Sequence, residues 1–344
     1  MKKATVLVTG GTGYIGSHTA VELINEGYEV VIIDNLSNST RDALDGIEKI
    51  TGVRPKFEEF DLCDAARVKK FFTENGDVKA IIHFAASKAV GESVEKPLLY
   101  YRNNLWSLIN LLNAMNEFHV PNIVFSSSCT VYGQPERLPV TENAPIQKAM
   151  SPYGNTKQIC EEIISDSISA YPSLQAISLR YFNPIGAHPS ANIGELPLGV
   201  PANLVPFITQ TAIGLRDQLK VFGNDYDTHD GTCIRDYIHV VDLAKAHVVA
   251  IKRLLEGKNK EAYEVFNIGT GNGNTVLDII NAFEKVSGVK LNYKIVDRRP
   301  GDIEKVWADT TYANNELGWK AKSTLEETLL SAWKWEQKYR NAKK

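Results

Sequence analysis

The stretch TVLVTGGTGYIG, residues 5–16, decides the fold of the first half of the chain. An apolar run leads into Gly10, Gly13 and Gly16, and a helix-length segment follows them. Such a turn lets backbone amides approach a pyrophosphate and lets the helix pack closely on the strand. Asp34 ends the next apolar run, where a carboxylate can bond an adenosine ribose and repel a 2′-phosphate. The stretch therefore predicts a dinucleotide site that takes NAD.

Outward from this turn, short β-branched runs alternate with helix-length amphipathic segments. This alternation predicts an α/β protein with a Rossmann-type, doubly wound parallel sheet flanked by helices. Strands are predicted at Thr5–Val8, Glu29–Asp34, Lys56–Phe60, Ala80–Phe84, Ile123–Ser127 and Ala176–Tyr181. Helices are predicted at Tyr14–Glu26, Asp42–Thr51, Ala65–Glu74, Leu98–Glu117 and Gly154–Ala170. Ser39 or Thr40 and Asp64 can cap two helix starts, and Gly27 can end the first helix.

The composition changes after Tyr181, where five prolines at 184, 189, 197, 201 and 206 interrupt regular structure. We expect an NAD-binding domain at 1–183, which a segment near 237–268 could rejoin, and a smaller mixed α/β domain at 184–344 that binds the substrate. In this second part we predict a helix around Phe207–Leu215, strands near Leu219–Phe222 and Val265–Ile268, and helices from Asp242, Val276 and Leu325.

Composition narrows the classes of function. The chain has 344 residues, 43% hydrophobic and 23% charged, so it can bury a large core. A net charge of −3 provides no polyelectrolyte face for nucleic acid or anionic membrane, and no apolar run has the length of a membrane span. Four dispersed cysteines without a CxxC pair fit a reducing cytoplasm, and the seven histidines form no metal-binding pattern. Small-molecule chemistry without a metal is the expectation.

A candidate catalytic pair lies at the start of a predicted helix. Tyr153 and Lys157 are four residues apart, which places both side chains on one helix face. A free tyrosine titrates at about 10, and lowering that pKa to about 7 takes roughly 4 kcal/mol, which a lysine ammonium and an oxidised nicotinamide can supply together. Ser128 follows the fifth predicted strand, at the sheet edge that borders the ligand crevice.

A second glycine-rich segment, Gly269–Gly273, also lies between a predicted strand and a helix. No carboxylate ends a following strand, because Asp297 lies within a basic turn. We therefore interpret this segment as a loop. We expect His239 and His247, near a helix start, to be packing or surface residues, and Trp333 and Trp335 to belong to an amphipathic closing helix.

Together these motifs resemble the extended short-chain dehydrogenase/reductase family and, within it, the UDP-glucose 4-epimerases. The segments that carry the resemblance are 10–18, 83–104, 125–133, 151–157, 180–189, 221–226, 230–243 and 298–307. The resemblance implies tightly held NAD that is regenerated in each turnover. It also implies that Tyr153 takes the proton of the sugar 4-hydroxyl, that Ser128 polarises the 4-oxygen, and that Lys157 holds the nicotinamide ribose. The sugar of the 4-keto intermediate then turns and receives the hydride on its other face.

The resemblance also implies binding roles, residue by residue. Residues implied to contact the cofactor, besides Ser128, Tyr153 and Lys157, are Gly10, Gly13, Tyr14, Ile15, Gly16, Asp34, Asn35, Asp61, Leu62, Phe84, Lys88, Asn103 and Phe182. Residues implied to contact the UDP-hexose, besides Ser128 and Tyr153, are Lys88, Asn183, Asn203, Phe222, Arg235, Arg299, Asp302 and Val306. Val306 leaves room where a bulky tyrosine restricts some members, which implies turnover of UDP-N-acetylglucosamine as well. The resemblance further implies a homodimer formed by the helices Leu98–Glu117 and Gly154–Ala170.

Three alternatives stay open at this point. Another NAD-dependent nucleotide-sugar epimerase would share every motif above. A nucleotide-sugar 4,6-dehydratase shares the opening oxidation, but that family places an Asp-Glu pair where this chain has Cys129 and Thr130. A non-catalytic NAD-bound regulator on the same scaffold would have no need of Tyr153 and Lys157.

Overall fold

A seven-stranded parallel sheet forms the centre of the computed structural model, which describes residues 4–299 and 303–342. The strands are β1 (Thr5–Thr9), β2 (Glu29–Asp34), β3 (Lys56–Glu59), β4 (Val78–His83), β5 (Asn122–Ser128), β6 (Gln175–Tyr181), β7 (Asn183–Ile185), β8 (Leu219–Phe222), β9 (Ile234–His239), β10 (Tyr263–Ile268), β11 (Gly273–Thr275), β12 (Tyr293–Val296) and β13 (Lys305–Val306). The central sheet has the order β10-β6-β5-β4-β1-β2-β3, and the smaller sheets are β11-β9-β13, with β7 also on β9, and β12-β8.

Helices connect these strands and cover both faces of the central sheet. They are α1 (Tyr14–Asn25), α2 (Asp42–Thr51), α3 (Ala65–Glu74), α4 (Val90–Glu95), α5 (Pro97–Glu117), α6 (Pro152–Ala170), α7 (Leu204–Ala212), α8 (Val240–Leu255), α9 (Val276–Ser287) and α10 (Leu325–Asn341). A 3-10 turn, Cys129–Tyr132, follows β5, and a π-helix spans Ala313–Leu317. In the described part of the chain, no helix combines the length and the apolar composition that a bilayer span requires.

Alternate residues of the central strands point to opposite, equally apolar layers. Val6 and Val8 of β1 pack in one cluster with α1, α2 and α8, whereas Leu7 packs in another with α3, α5 and α6. Burial on both faces explains why these strands are continuous apolar runs instead of alternating ones. A third cluster joins α7, α9 and α10 to β8 and β9 and forms the core of the C-terminal part.

The predicted fold class is confirmed, and the predicted strands of the first half agree with β1 to β6 within about two residues. Asp64 caps α3 by accepting hydrogen bonds from the Ala66 and Arg67 amides, as predicted. Gly27 has φ +85° just beyond α1, which is the left-handed stop that the sequence indicated.

Some predicted helix starts are wrong. The α7 helix begins at Leu204 instead of Phe207, and Pro206 lies in its first turn. Proline is tolerated there because the amide groups of the first turn make no hydrogen bond within the helix. For the same reason α5 and α6 begin at Pro97 and Pro152. The six-residue α4 was too short to be predicted from periodicity.

Candidate functional site

The glycine turn between β1 and α1 packs so closely that side chains are excluded at two positions. Gly10 has φ +70°, and a Cβ on it would lie 2.8 Å from the Ala85 amide nitrogen. A Cβ on Gly16 would lie 2.3 Å from the Gly10 carbonyl oxygen. Gly13 is the N-cap of α1 and supplies no side-chain cap, so the first amides of the helix face the cleft without a protein carboxylate or hydroxyl capping them. This is the geometry that attracts a pyrophosphate.

Asp34 is held in place at the end of β2 by three donors. Its Oδ1 accepts from the Leu36 amide at 2.9 Å and from the Ser39 hydroxyl at 3.0 Å, and its Oδ2 accepts from the Thr12 amide at 3.3 Å. The Ser39 hydroxyl thus orients this carboxylate. The prediction that Ser39 or Thr40 caps α2 is wrong, because Arg41 occupies the N-cap and no side-chain hydrogen bond caps that helix.

The glycine turn and Asp34 open onto a cleft with a volume of about 1340 Å³. This volume exceeds that of a site for one drug-sized ligand and suits a dinucleotide beside a second nucleotide. A tight glycine cradle, uncapped helix amides and an oriented carboxylate fit NAD. All the other residues implied to contact the cofactor also line this cleft: Tyr14, Ile15, Asn35, Asp61, Leu62, Phe84, Lys88, Asn103, Ser128, Tyr153, Lys157 and Phe182.

The three candidate catalytic residues come together at the carboxyl end of β5. Ser128 is the last residue of β5, and its hydroxyl accepts a hydrogen bond from the Thr130 amide at 3.2 Å. Tyr153 and Lys157 lie in the first two turns of α6, which Ser151 caps through the Gly154 amide. All three side chains line the cleft, so the structure brings together what the spacing predicted.

Lys157 is buried and held by the backbone and by two aromatic faces. Its Nζ donates to the Ser126 carbonyl oxygen at 2.7 Å. The same atom lies 4.7 Å from the centre of the Phe125 ring and 5.9 Å from that of the Tyr153 ring. Burial lowers the pKa of Lys157 to about 8, and the side chains of Cys160 and Glu161 oppose that fall.

Burial raises the pKa of the Tyr153 phenol well above its ordinary value, and Tyr181 adds to the rise. A hydrogen bond with the Ser128 side chain acts in the opposite direction. The expected fall in this pKa is therefore not produced by Lys157 in the protein alone. An oxidised nicotinamide beside the phenol would favour its charged form, together with the lysine ammonium.

The cleft also carries most of the residues implied to contact a UDP-hexose. Asn183, Asn203, Arg235, Arg299 and Val306 line it. Phe222 is not among the lining residues, but its ring lies 5.6 Å from the Arg299 guanidinium carbon. Asp302 lies outside the described residues.

Glu195 is a cleft residue that the sequence did not indicate. Its Oε1 accepts a hydrogen bond from Asn203 Nδ2 at 2.6 Å and lies 3.6 Å from the Lys88 ammonium. It therefore connects a residue implied for the sugar side with one implied for the cofactor side. No spacing signals this contact, because Glu195 lies in irregular chain far from Lys88 in sequence.

The second glycine-rich segment binds a protein carboxylate. The Thr270 and Gly271 amides donate to Asp236 at 2.9 and 3.1 Å. Its amides are thus already occupied, in agreement with the interpretation as a loop up to β11. His239 is the N-cap of α8, where its Nδ1 accepts from the Val241 amide, and His247 is buried 4.6 Å from the Phe84 ring. Trp333 and Trp335 belong to α10, as predicted.

Comparisons with known proteins extend over nearly the whole chain. The family model described as GDP-mannose 4,6 dehydratase matches residues 7–331. A UDP-glucose 4-epimerase of Bacillus subtilis (strain 168) is 53% identical over 331 residues, which are 96% of each chain. The UDP-glucose 4-epimerase of Bifidobacterium longum, solved in complex with NAD+ and UDP, has a TM-score of 0.94 and 48% identity, covering 98% of this chain and 99% of that one. The enzyme of Stenotrophomonas maltophila, solved with NAD and formylated UDP-arabinopyranose, has a TM-score of 0.95 and 47% identity, covering 99% and 100%.

Proposed function

The chain belongs to the UDP-glucose 4-epimerase family, and we propose that Ser128, Tyr153 and Lys157 carry out the reaction of that family here. The protein is an NAD-dependent isomerase that interconverts UDP-galactose and UDP-glucose. The observation that carries the residue assignment is that all three side chains line the cleft onto which the glycine turn opens. A phenol, a hydroxyl and an ammonium then share one space with a bound dinucleotide.

The mechanism follows from what each side chain can do. NAD, when bound, supplies the hydride acceptor and donor for C4 of the sugar. Tyr153 accepts the proton of the 4-hydroxyl during oxidation and returns it during reduction. Ser128 donates a hydrogen bond to the 4-oxygen, and the Lys157 ammonium favours the charged form of the tyrosine. Inversion at C4 requires that hydrogen return to the face opposite the one it left, so the sugar has to present its two faces in turn.

We assign the diphosphate end of the substrate to two arginines of the cleft. Arg235 and Arg299 are the two guanidinium groups that line it, and a guanidinium gives charge-assisted bonds to phosphate oxygens. We assign Asn183, Asn203 and Phe222 to the same nucleotide, and Lys88 to the contact between cofactor and substrate. We assign the remaining implied cofactor contacts to Gly10, Gly13, Tyr14, Ile15, Gly16, Asp34, Asn35, Asp61, Leu62, Phe84, Asn103 and Phe182.

Elimination of water is not supported, although the matching family model bears a dehydratase name. A dehydratase needs an acid and a base beside the sugar, at positions where this chain has Cys129 and Thr130. Burial raises the pKa of Cys129 to about 12, so its thiol is neutral and cannot act as a base at neutral pH. A purely regulatory role would not require the Tyr153 phenol, the Ser128 hydroxyl and the Lys157 ammonium to line one cleft.

The experiment that tests this assignment incubates the purified protein and its Tyr153→Phe variant with UDP-galactose, without added NAD. UDP-glucose is measured by chromatography, and bound cofactor by reversed-phase analysis after denaturation. Conversion by the first protein and its loss in the second support the assignment. Absence of UDP-glucose with the unsubstituted protein, or full conversion by the variant, would refute it.

Val306 sets the space available at the sugar. It is buried at the cleft among Val131, Tyr132 and Phe182, and a valine leaves volume that an aromatic ring would fill. We propose that UDP-N-acetylglucosamine and UDP-N-acetylgalactosamine are also interconverted, because an acetamido group needs that volume. Val306→Tyr should lower kcat/KM for UDP-N-acetylgalactosamine by about tenfold or more and change that for UDP-galactose by less than about threefold. Equal losses for both sugars, or none for the acetylated one, would contradict this account.

An exposed apolar strip runs along α4 and the first half of α5. Leu98 is 81% exposed and Trp106 is 55% exposed, and α5 packs beside α6. We propose that a second copy of the chain covers this strip and pairs α5 and α6 of both subunits. Light scattering after gel filtration should give the mass of two chains for the protein and of one chain for Leu98→Glu/Trp106→Glu. The control Val53→Glu changes an exposed valine outside this strip, so that variant should remain dimeric. A wild-type mass of one chain would refute the proposal.

Two coarser assignments complete the proposal. We infer a cofactor domain of residues 1–183, rejoined by the segment near 237–268, and a nucleotide-sugar domain of residues 184–344. The support is that α8 and β10 pack in the central layers whereas α7, α9 and α10 share a separate core. A cytoplasmic location is supported by the four cysteines, all of which are free thiols.

A further inference from the structure

A buried ion pair lies directly behind the catalytic residues. Arg180 on β6 donates to Glu161 on α6, from Nε to Oε1 at 2.9 Å and from Nη2 to Oε2 at 2.5 Å. The two side chains are 9% and 10% exposed. Ser127 donates its hydroxyl to the same Oε1 at 2.5 Å. None of these three residues lines the cleft, so the pair cannot contact cofactor or substrate there.

The network continues from the guanidinium to the turn that follows β5. Arg180 Nη1 donates to the Tyr132 hydroxyl at 3.0 Å, and the guanidinium carbon lies 4.9 Å from the centre of that ring. The Tyr132 hydroxyl donates in turn to Asn267 Oδ1 at 2.7 Å, and Asn267 Nδ2 donates to the Val140 carbonyl oxygen at 2.9 Å. Each polar group in this chain of contacts therefore has a partner.

Three residues of this network lie close in the chain to residues assigned to catalysis. Ser127 is the neighbour of Ser128 in β5. Tyr132 ends the 3-10 turn that Ser128 caps. Glu161 lies one helical turn after Lys157, on the same face of α6. The pair thus ties β5, the turn and α6 to β6 at the points where the hydroxyl and the ammonium are attached.

We propose that Glu161 and Arg180 are positioning residues, which fix Ser128 and Lys157 relative to each other so that the hydroxyl meets the sugar 4-oxygen while the ammonium stays beside Tyr153. This rests on the function and catalytic residues proposed above. Stability alone gives little reason for the pair, because desolvating two charges is costly and apolar residues of similar volume often serve a fold equally well. Misplacement of a reacting group by about 1 Å, in contrast, can cost a hundredfold in rate.

The pair also governs the charge around Lys157. The groups facing the ammonium are His83 on β4 and Tyr153, Cys160 and Glu161 on α6, with Arg180 and Tyr263 behind Glu161. Burial lowers the pKa of His83 to about 3 and raises that of Cys160 to about 12, so both are neutral between those values. Burial likewise raises the pKa of the Tyr263 phenol. Glu161 and Arg180 are then the charged members of this set.

The first test replaces the whole pair by apolar residues, Glu161→Leu/Arg180→Met, so that no buried charge is left alone. We expect NAD content and KM for UDP-galactose close to wild type, with kcat reduced by about 10- to 100-fold. The matched control is Arg253→Met/Glu264→Leu, a second buried bidentate pair with contacts at 2.7 and 2.8 Å whose residues do not line the cleft. It should keep kcat within about twofold. Equal kcat in the two double variants at equal NAD content would overturn the proposal.

The second test uses Glu161→Gln, which preserves shape and remains informative if the double variant does not fold. Removing the carboxylate while Arg180 stays charged should lower the pKa of Lys157 below about 8. Lys157 is needed as the ammonium, so the alkaline limb of the kcat profile should move to lower pH. Glu161→Asp should restore most of the difference. An alkaline limb at the wild-type position would contradict the proposal, because a purely structural defect lowers kcat at every pH.

These results are distinguishable from a failure of the proposed catalytic residues. If Tyr153→Phe turns over UDP-galactose at the wild-type rate, the catalytic assignment is wrong whatever the pair does. If Tyr153→Phe is inactive and the Glu161 variants behave like their controls, only the positioning role is wrong.

Discussion

Tyr153→Phe should lower kcat for UDP-galactose by about 10²- to 10⁴-fold, which is the range that a positioned acid or base contributes. The substitution removes one oxygen from a buried side chain and keeps the ring that packs over Lys157. Bound NAD and KM should therefore stay close to wild type. Rapid mixing with UDP-galactose, followed at the absorbance of the reduced nicotinamide, would locate the loss in the first oxidation.

The matched control for this variant is Tyr171→Phe, at a tyrosine that is 41% exposed just after α6. It removes the same atom from the chain and should leave kcat unchanged. A Tyr153→Phe enzyme with at least a third of wild-type kcat would show that another group moves the proton. Loss of NAD from the variant would instead show that the main role of the Tyr153 hydroxyl is to bind the cofactor.

The sequence predicted the position of the Tyr153 side chain but not all of the groups that act on its pKa. The spacing of Tyr153 and Lys157 predicted their common helix face correctly, because helix periodicity is a local property. Their electrostatics depend on burial by distant elements, since Tyr181 on β6 and the Ser126 carbonyl on β5 also act on the pair. The pattern indicated that a lysine and an oxidised nicotinamide lower the phenol pKa together, and it did not indicate that burial by these distant elements raises that pKa.

In the fold, too, features that depend on local sequence were predicted, and features that depend on contacts between distant segments were not. The strands of the central sheet were predictable because their apolar runs are short, buried on both faces and bounded by turns. Contacts such as Glu161 with Arg180 and Glu195 with Asn203 join separate elements or irregular chain and have no characteristic spacing. The role of Ser39 was mistaken because its hydroxyl bonds Asp34 in the irregular chain between β2 and α2, instead of an amide of the helix.

Gly16→Ala should yield a folded protein that purifies with little bound NAD and with UDP-galactose turnover reduced by at least about a hundredfold. The added Cβ would lie 2.3 Å from the Gly10 carbonyl oxygen and 2.8 Å from the Gly11 Cα, so the turn itself has to move. Such a movement displaces the amides that face the pyrophosphate, and overpacking of this kind costs about 1–3 kcal/mol. Cofactor content after denaturation and the thermal midpoint measure the two effects separately.

Gly76→Ala is the control for the added methyl group, because no atom lies within 4 Å of a Cβ at that position. It should retain full NAD content and activity. If Gly16→Ala keeps stoichiometric NAD, the close packing of turn and helix is not what forms the cofactor site. If added NAD restores its turnover fully at saturating concentration, the turn has lost affinity while the catalytic residues, which lie on β5 and α6 instead of α1, keep their geometry. That outcome would separate cofactor retention from chemistry in this cleft, because the glycine turn and the Ser128–Tyr153–Lys157 group lie on different elements of the sheet.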